Sequence, residues 1–336
     1  MRKTRLDLAR IQAARQAIDP LFLDSPLYPC TGLGEDLGCS VSLKLETVNP
    51  VRSFKARGTE IIASRLAASG RKAVVCASAG NLGQALAWSG RNRGLDVTVV
   101  ASRSAPAVKL ERIRALGAEL VLVDGDYDVA CERAAAIARE RGVRRVEDSV
   151  DVETCDGAAT IGLELAADTS RFDTVLVALG TGALAGGVGF AVKSLATQVE
   201  VVCVQPQGAP AMTRSWHARR VITTESTDTI ADGVAGRVPN PDALADLLVV
   251  ADDAVLVEES SIVEGMRLLL DHAGLVVEPS AALGIAALLE DRDRFAGRRV
   301  ATVVCGSNVD MDAYHRWVGT RPAPVPAAAG GPERAG

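Results

Sequence analysis

The first segment that could do chemistry is Arg52-Ser-Phe-Lys-Ala-Arg-Gly58, where Lys55 stands between a turn at Asn49-Pro50 and a helix-forming run. A lysine at a helix start gains nothing from the helix dipole, whose positive end disfavours a cation. Taken alone, it is ordinarily a solvated surface group. Phe54 changes that balance. It is one of only five phenylalanines, and an apolar neighbour that disfavours the ammonium suits imine formation between lysine and an aldehyde. Small-residue loops also follow apolar runs, which is where parallel sheets put their ligand loops. These loops are Ala77-Ser-Ala-Gly-Asn-Leu-Gly-Gln84, Leu179-Gly-Thr-Gly-Ala-Leu-Ala-Gly-Gly187 and Cys305-Gly-Ser-Asn308. The second opens backbone N–H groups at a helix N-terminus, a place that favours an anion such as phosphate.

Gly180, Gly182 and Ala185 also match the Gly-x-Gly-x-x-Gly/Ala pattern of a dinucleotide site. That site needs an acid about 20 residues on, at the end of the next strand. The run Val199 to Val204 ends in Gln205, and its Glu200 stands at the wrong end. No Gly-Lys-Ser/Thr phosphate loop is present. The three histidines, His217, His272 and His315, lie far apart, which argues against a histidine-held metal and against a Ser-His-Asp hydrolase.

These loops need a frame. A helix is expected at about residues 4 to 18, a strand at 41 to 45, and a helix from Lys55 to Ser69 closed by Gly70. An α/β rhythm follows: strands at 73 to 76, 97 to 100 and 120 to 123 alternate with helices near 81 to 93, 106 to 116 and 127 to 140. A second series runs through 174 to 178, a helix near 183 to 196, a strand at 199 to 204, helices near 260 to 273 and 280 to 290, and a strand at 300 to 304. The two series meet near residues 148 to 154. The expected organisation is a small mobile domain at 72–148 inside a larger one built from 1–71 and 149–321. A disordered, proline-rich tail is expected at 322–336.

Composition narrows the partners. With 48% hydrophobic but only 3% aromatic residues, the core is aliphatic. Lys plus Arg number 37 against 42 Asp plus Glu and are scattered, so no footprint for nucleic acid or an anionic membrane exists. Seven cysteines without a Cys-x-x-Cys, and no apolar leader or span, point to a reduced, cytoplasmic protein.

Ser53-Phe-Lys-Ala-Arg-Gly58, Ser78-Ala-Gly-Asn-Leu-Gly-Gln84, the glycine-rich loop at 180, Thr229-Ile-Ala-Asp-Gly233, Glu278-Pro-Ser280 and Cys305-Gly-Ser-Asn308 stand in the order seen in the serine/threonine dehydratase family. Over about residues 20 to 318 the chain resembles a fold-type II pyridoxal 5′-phosphate enzyme of the tryptophan synthase beta-like superfamily. The resemblance implies an α/β fold of two domains, each a mostly parallel twisted sheet flanked by helices, with the cofactor in the large one. It implies that Lys55 holds the cofactor as a Schiff base and acts as the base at Cα. Phe54 would pack on the cofactor, Asn81 would hydrogen-bond its 3′-oxygen, Cys305 would face the pyridine nitrogen, and Gly180, Thr181, Gly182, Ala183 and Leu184 would bind its phosphate. Ser78, Ala79, Gly80, Asn81 and Leu82, with Gly233, would hold the small amino-acid substrate.

The activity implied is that of a threonine/serine ammonia-lyase: α,β-elimination from a β-hydroxy or β-substituted L-amino acid to a 2-oxo acid and ammonia. The alternative is a β-replacement synthase of a specialised pathway working through the same aminoacrylate. A homodimer without a metal site is expected, since Gln205-Pro-Gln-Gly-Ala-Pro-Ala211 lacks the acids of the cation-dependent relatives. In racemases of this family a second serine follows Ser78, where this chain has Ala79. Arg52 and Ala183 occupy positions where glycine is common.

Overall fold

The computed structural model describes residues 4–319, so the tail expected at 322–336 lies outside the described residues. Among the described residues, ten strands form two sheets. The strands are β1 (Leu27–Pro29), β2 (Ser40–Leu45), β3 (Ala73–Ala77), β4 (Asp96–Ser102), β5 (Glu119–Val123), β6 (Arg144–Val146), β7 (Thr174–Ala178), β8 (Glu200–Pro206), β9 (Asp253–Val257) and β10 (Arg299–Val304). The six-stranded sheet has the order β1-β2-β10-β7-β8-β9 and the four-stranded sheet β5-β4-β3-β6. All pairings are parallel except that of β1 with β2. Central strands such as β7 are buried along their whole length, as expected of parallel strands covered by helices on both faces.

The strands not expected from the sequence are β1, β6 and β9, all at sheet edges. β1 ends in Pro29 and β6 reads Arg-Arg-Val, so neither has the apolar run of a central strand. The first helix is shorter than expected. It spans Leu8–Ala14, begins where the Asp7 carboxylate accepts the Arg10 N–H at 2.7 Å, and gives way to a 3₁₀ turn at Arg15–Ala17. Among the described residues no helix is long and apolar enough to cross a membrane.

The helix Lys55–Ala68 links the two sheets. Ile62, Ala63 and Leu66 on it join the apolar cluster of the four-stranded sheet, with Val74, Cys76 and Leu86. Its first turn crosses the helix Val152–Ala166 so closely that a Cβ on Gly157 would lie 2.2 Å from the Gly58 nitrogen. Glycine is needed there for contact between the backbones. Beside this crossing Arg57 is fully buried. It donates to Glu46 Oε1 and Oε2 at 2.8 and 2.9 Å, to Glu164 Oε1 at 2.5 Å and to Thr160 Oγ1 at 2.9 Å. Lys44 Nζ lies 2.6 Å from Glu164 Oε2. Burial alone would lift the Glu164 carboxyl, but Arg57 and Lys44 overcome it and hold the group at about 2. This buried ion cluster fixes the start of the helix that Lys55 opens.

Candidate active site

β10 ends against the loop that precedes Lys55. The Phe54 N–H donates to Cys305 O at 3.1 Å, and the Ser307 N–H donates to Arg52 O at 2.9 Å. Ser53 and Gly306 form an isolated antiparallel bridge. Lys55 is thereby placed as the first residue of its helix, with Nζ 4.6 Å from the centroid of the Phe54 ring. Nζ also lies 2.6 Å from Asp148 Oδ2, an oxygen that accepts the Thr181 hydroxyl at 2.6 Å. One carboxylate oxygen therefore joins the amine to the glycine-rich loop.

That loop leads into the helix Ala183–Leu195 through Gly182, whose φ of +104° is open to glycine and strained for other residues. The first intrahelical bond is Gly186 N–H to Gly182 O at 2.8 Å, which leaves the N–H groups of the preceding residues free of intrahelical acceptors. Opposite stands the loop between β3 and the helix Asn81–Asn92. There Ser78 Oγ accepts the Gly80 N–H at 3.2 Å, Ala79 lies between them, and Leu82 is buried in the four-stranded sheet's cluster. Asn81 Nδ2 reaches Glu278 Oε1 and Oε2 at 2.9 and 3.0 Å. Gly233 faces Ser280 and Glu278, and Cys305 is buried beside Phe54. Burial, followed by the charge of Glu278, pushes the Cys305 thiol far up, so it stays protonated.

The sequence-selected residues thus gather around a single site, joined by residues that sequence reasoning did not select. Asp148 lies between the two series of strands with no pattern around it. Glu278 and Asn308 stand in motifs of the family resemblance that assigns neither of them a role. Asn308 donates through its side chain to Asn81 Oδ1 and Val51 O, each at 2.8 Å.

The site fits a cofactor with an aldehyde at one end and a phosphate at the other, because an amine and a cradle of N–H groups sit at its two ends. Three buried polar atoms around it, Asp148 Oδ1, Ser53 Oγ and Ser280 Oγ, have no partner among the described residues. Such orphans are rare in a folded chain and are what a bound group would satisfy. The family model described as "Pyridoxal-phosphate dependent enzyme" matches residues 18–306. The chain belongs to this family. Its cofactor is pyridoxal 5′-phosphate, and its fold is that of the fold-type II enzymes. An L-threonine ammonia-lyase of Thermotoga maritima is 33% identical over 312 residues, covering 93% of this chain and 78% of the relative. A serine racemase of Oryza sativa subsp. indica is 29% identical over 314 residues, covering 91% of each chain. The solved structure of the processed form of threonine deaminase isoform 2 from Solanum lycopersicum superposes with a TM-score of 0.86 at 27% identity, covering 94% of this chain and 89% of that one.

Glu278 gives this family member a pH-dependent element. Burial lifts its carboxyl from 4.5 to about 7, against the hydrogen bonds from Asn81. A carboxyl that is raised on folding binds its proton more tightly in the folded state. Its contribution is therefore most favourable below about 4.5 and is lost as the pH rises through about 7. The full difference is on the order of 3 kcal/mol. A Glu278→Gln enzyme should lack this component, while its amide oxygen still accepts from Asn81. Unfolding free energies measured between pH 4.5 and 8 should show the variant gaining on the parent as pH rises; a constant difference would mean that Glu278 does not titrate there.

Proposed function

We propose that this family member carries out α,β-elimination on a β-hydroxy L-amino acid, releasing ammonia and a 2-oxo acid. The single observation that carries the reading is the half-buried Lys55 amine, set over the Phe54 ring and tied through Asp148 to the phosphate-type loop. The relatives named as threonine ammonia-lyase and threonine deaminase support this reaction class. When bound, pyridoxal 5′-phosphate supplies the aldehyde for Lys55 and a conjugated ring that takes up the electron pair left at Cα.

The chain's residues supply the rest. Gly180, Thr181, Gly182, Ala183 and Leu184 would hold the phosphate through backbone N–H groups, Phe54 would pack on the ring, and Asn81 would bind its 3′-oxygen. Cys305 would face the ring nitrogen and, as a protonated thiol, would donate to it weakly. Ser78 with the residues through Leu82, and Gly233, would hold the substrate. Lys55 Nζ takes the proton from Cα, and the carboxylate of Asp148 stabilises the ammonium so formed; the bond from the β-carbon to its hydroxyl breaks, proton and hydroxyl leaving as water, and the released enamine takes up water to give the 2-oxo acid and ammonia. Incubating the holoenzyme with L-serine and L-threonine tests the reading: 2-oxo acid and ammonia are expected, and their absence would overturn it. A product that appears only with an added nucleophile would point instead to β-replacement.

Ala79 favours elimination over racemisation, because it has no hydroxyl to move a proton on the face of Cα opposite Lys55. The enzyme should form negligible D-serine, whereas Ala79→Ser should introduce D-serine measurable by chiral chromatography. D-serine formed by the parent as fast as pyruvate would sink this assignment.

We also assign residues 72–148 to a small domain that closes on a large domain of 1–71 and 149–321. Its support is the separate four-stranded sheet, and X-ray scattering with and without a substrate analogue reads the closure. Seven free thiols suit the cytoplasm. The homodimer expected for the family is checked by sedimentation.

A further inference from the structure

Arg52 and Arg112 are two charged residues near this site, among the described residues, that the elimination chemistry leaves unused. Arg52 has a φ of +53°, in the left-handed region that strains a side chain with a Cβ. It is exposed, and among the described residues its guanidinium has no hydrogen-bond acceptor or carboxylate partner. Its carbonyl accepts the Ser307 N–H at 2.9 Å. The neighbouring residue, Asn308, accepts Arg112 Nη1 through Oδ1 at 2.6 Å, while its Nδ2 donates to Asn81 Oδ1 and Val51 O, each at 2.8 Å. Arg112 is therefore one side chain away from Asn81 on one side and from the Lys55 loop on the other. It comes from the helix Ala107–Ala115, on the side of the four-stranded sheet.

Both guanidiniums are held at a cost. Burial, then repulsion by Arg52, lowers the pKa of Arg112. No carboxylate of the described residues pairs with either one. The nearby acids are engaged elsewhere: Asp232 pairs with Lys109, and Glu278 accepts from Asn81. Strain, desolvation and like-charge repulsion together at the edge of an active site are offset when an anion binds there. Guanidinium groups bind carboxylates and phosphates in a bidentate manner.

We infer that Arg52 and Arg112 form a subsite for a second anionic group on the substrate, a carboxylate or phosphate attached at the β-carbon or its oxygen. The inference rests on the elimination reading and narrows its substrate class to amino acids with two acidic groups. An anion between the two arginines would also draw the helix Ala107–Ala115 toward the Lys55 loop.

The test compares kcat/KM of the holoenzyme for L-serine, L-threonine, 3-hydroxyaspartate and O-phosphoserine. At least one anionic substrate should exceed serine by about 10-fold or more, the equivalent of one hydrogen bond to a charged group. 3-Hydroxyaspartate and O-phosphoserine separate a carboxylate from a phosphate. In Arg52→Gly, which relieves the backbone strain, and in Arg112→Gln, the ratio of anionic to neutral kcat/KM should fall by about 10-fold, mainly through KM. Equal preference for neutral and anionic substrates, unchanged in both variants, would overturn the subsite. If none of the four compounds turns over, the elimination reading fails by itself. The subsite is then judged by titrating the cofactor's visible spectrum: tighter binding of the anionic compounds that weakens in Arg52→Gly upholds it, and equal binding refutes it.

Discussion

Replacing Lys55 by alanine should remove the visible, borohydride-reducible absorbance of the bound cofactor and lower turnover by about 10³-fold or more. Among the described residues, the other lysines in contact with the network around the site are engaged elsewhere. Lys44 is buried against Glu164, and Lys109 is paired with Asp232. The structure adds a second consequence. Asp148 Oδ1 already lacks a partner, and the loss of Lys55 Nζ leaves Oδ2 with the Thr181 hydroxyl alone. A partly buried carboxylate without its cation should cost about 1–2 kcal/mol of stability, less than a fully buried pair. The double variant Lys55→Ala, Asp148→Asn should therefore unfold at a higher temperature than Lys55→Ala while remaining inactive. Retention of both the absorbance and turnover in the single variant would remove Lys55 from the mechanism. A double variant no more stable than the single one would show that the pair does not contribute to the fold.

Arg57→Ala should have the largest effect on stability of any single change near the site, about 3–5 kcal/mol, because it strands buried carboxylates. Glu46 would lose both of its guanidinium bonds, and Glu164 would lose its buried guanidinium while keeping Lys44, the more distant Arg15 and the Asp24 and Ser25 N–H groups. Activity should fall with it, since the helix that starts at Lys55 is anchored there. Denaturant unfolding at pH 7 measures the loss; a change below about 1 kcal/mol would contradict the assignment of Arg57 as the anchor.

The Ser-Phe-Lys-Ala-Arg-Gly segment shows what the sequence could and could not reveal. Its lysine stood out because a cation gains nothing from a helix start, and the structure shows it instead held over the Phe54 ring and against Asp148. Its arginine and glycine were visible only as parts of a motif. Their reasons are the distant Glu46 and Glu164 carboxylates and the crossing with Gly157, none of which a local pattern encodes. Central strands such as β7 and β10 stood out as short branched runs. β1 and β6 did not, since these edge strands carry proline or charge and owe their form to a neighbour, whereas β9 has as apolar a run as the recognised edge strand β5 and was passed over. Among the site residues, Gly182 and Asn81 were found through their loops. Asp148 follows a charged edge strand, where an aspartate is ordinary, and only its closeness to Nζ distinguishes it.

β10 is the last strand among the described residues, yet it lies inside the large sheet, hydrogen-bonded to β2 on one side and β7 on the other. During synthesis Lys55 leaves the ribosome roughly 250 residues before the Cys305–Ser307 segment that clamps its loop. Until then β2 and β7 face a missing neighbour, and the reactive amine sits on a half-built sheet. Loading of the cofactor is therefore expected of the finished chain and not of the nascent one. A product truncated before residue 299 would carry Lys55, the phosphate-type loop and most of the apolar core, but would expose two parallel strand edges to aggregation.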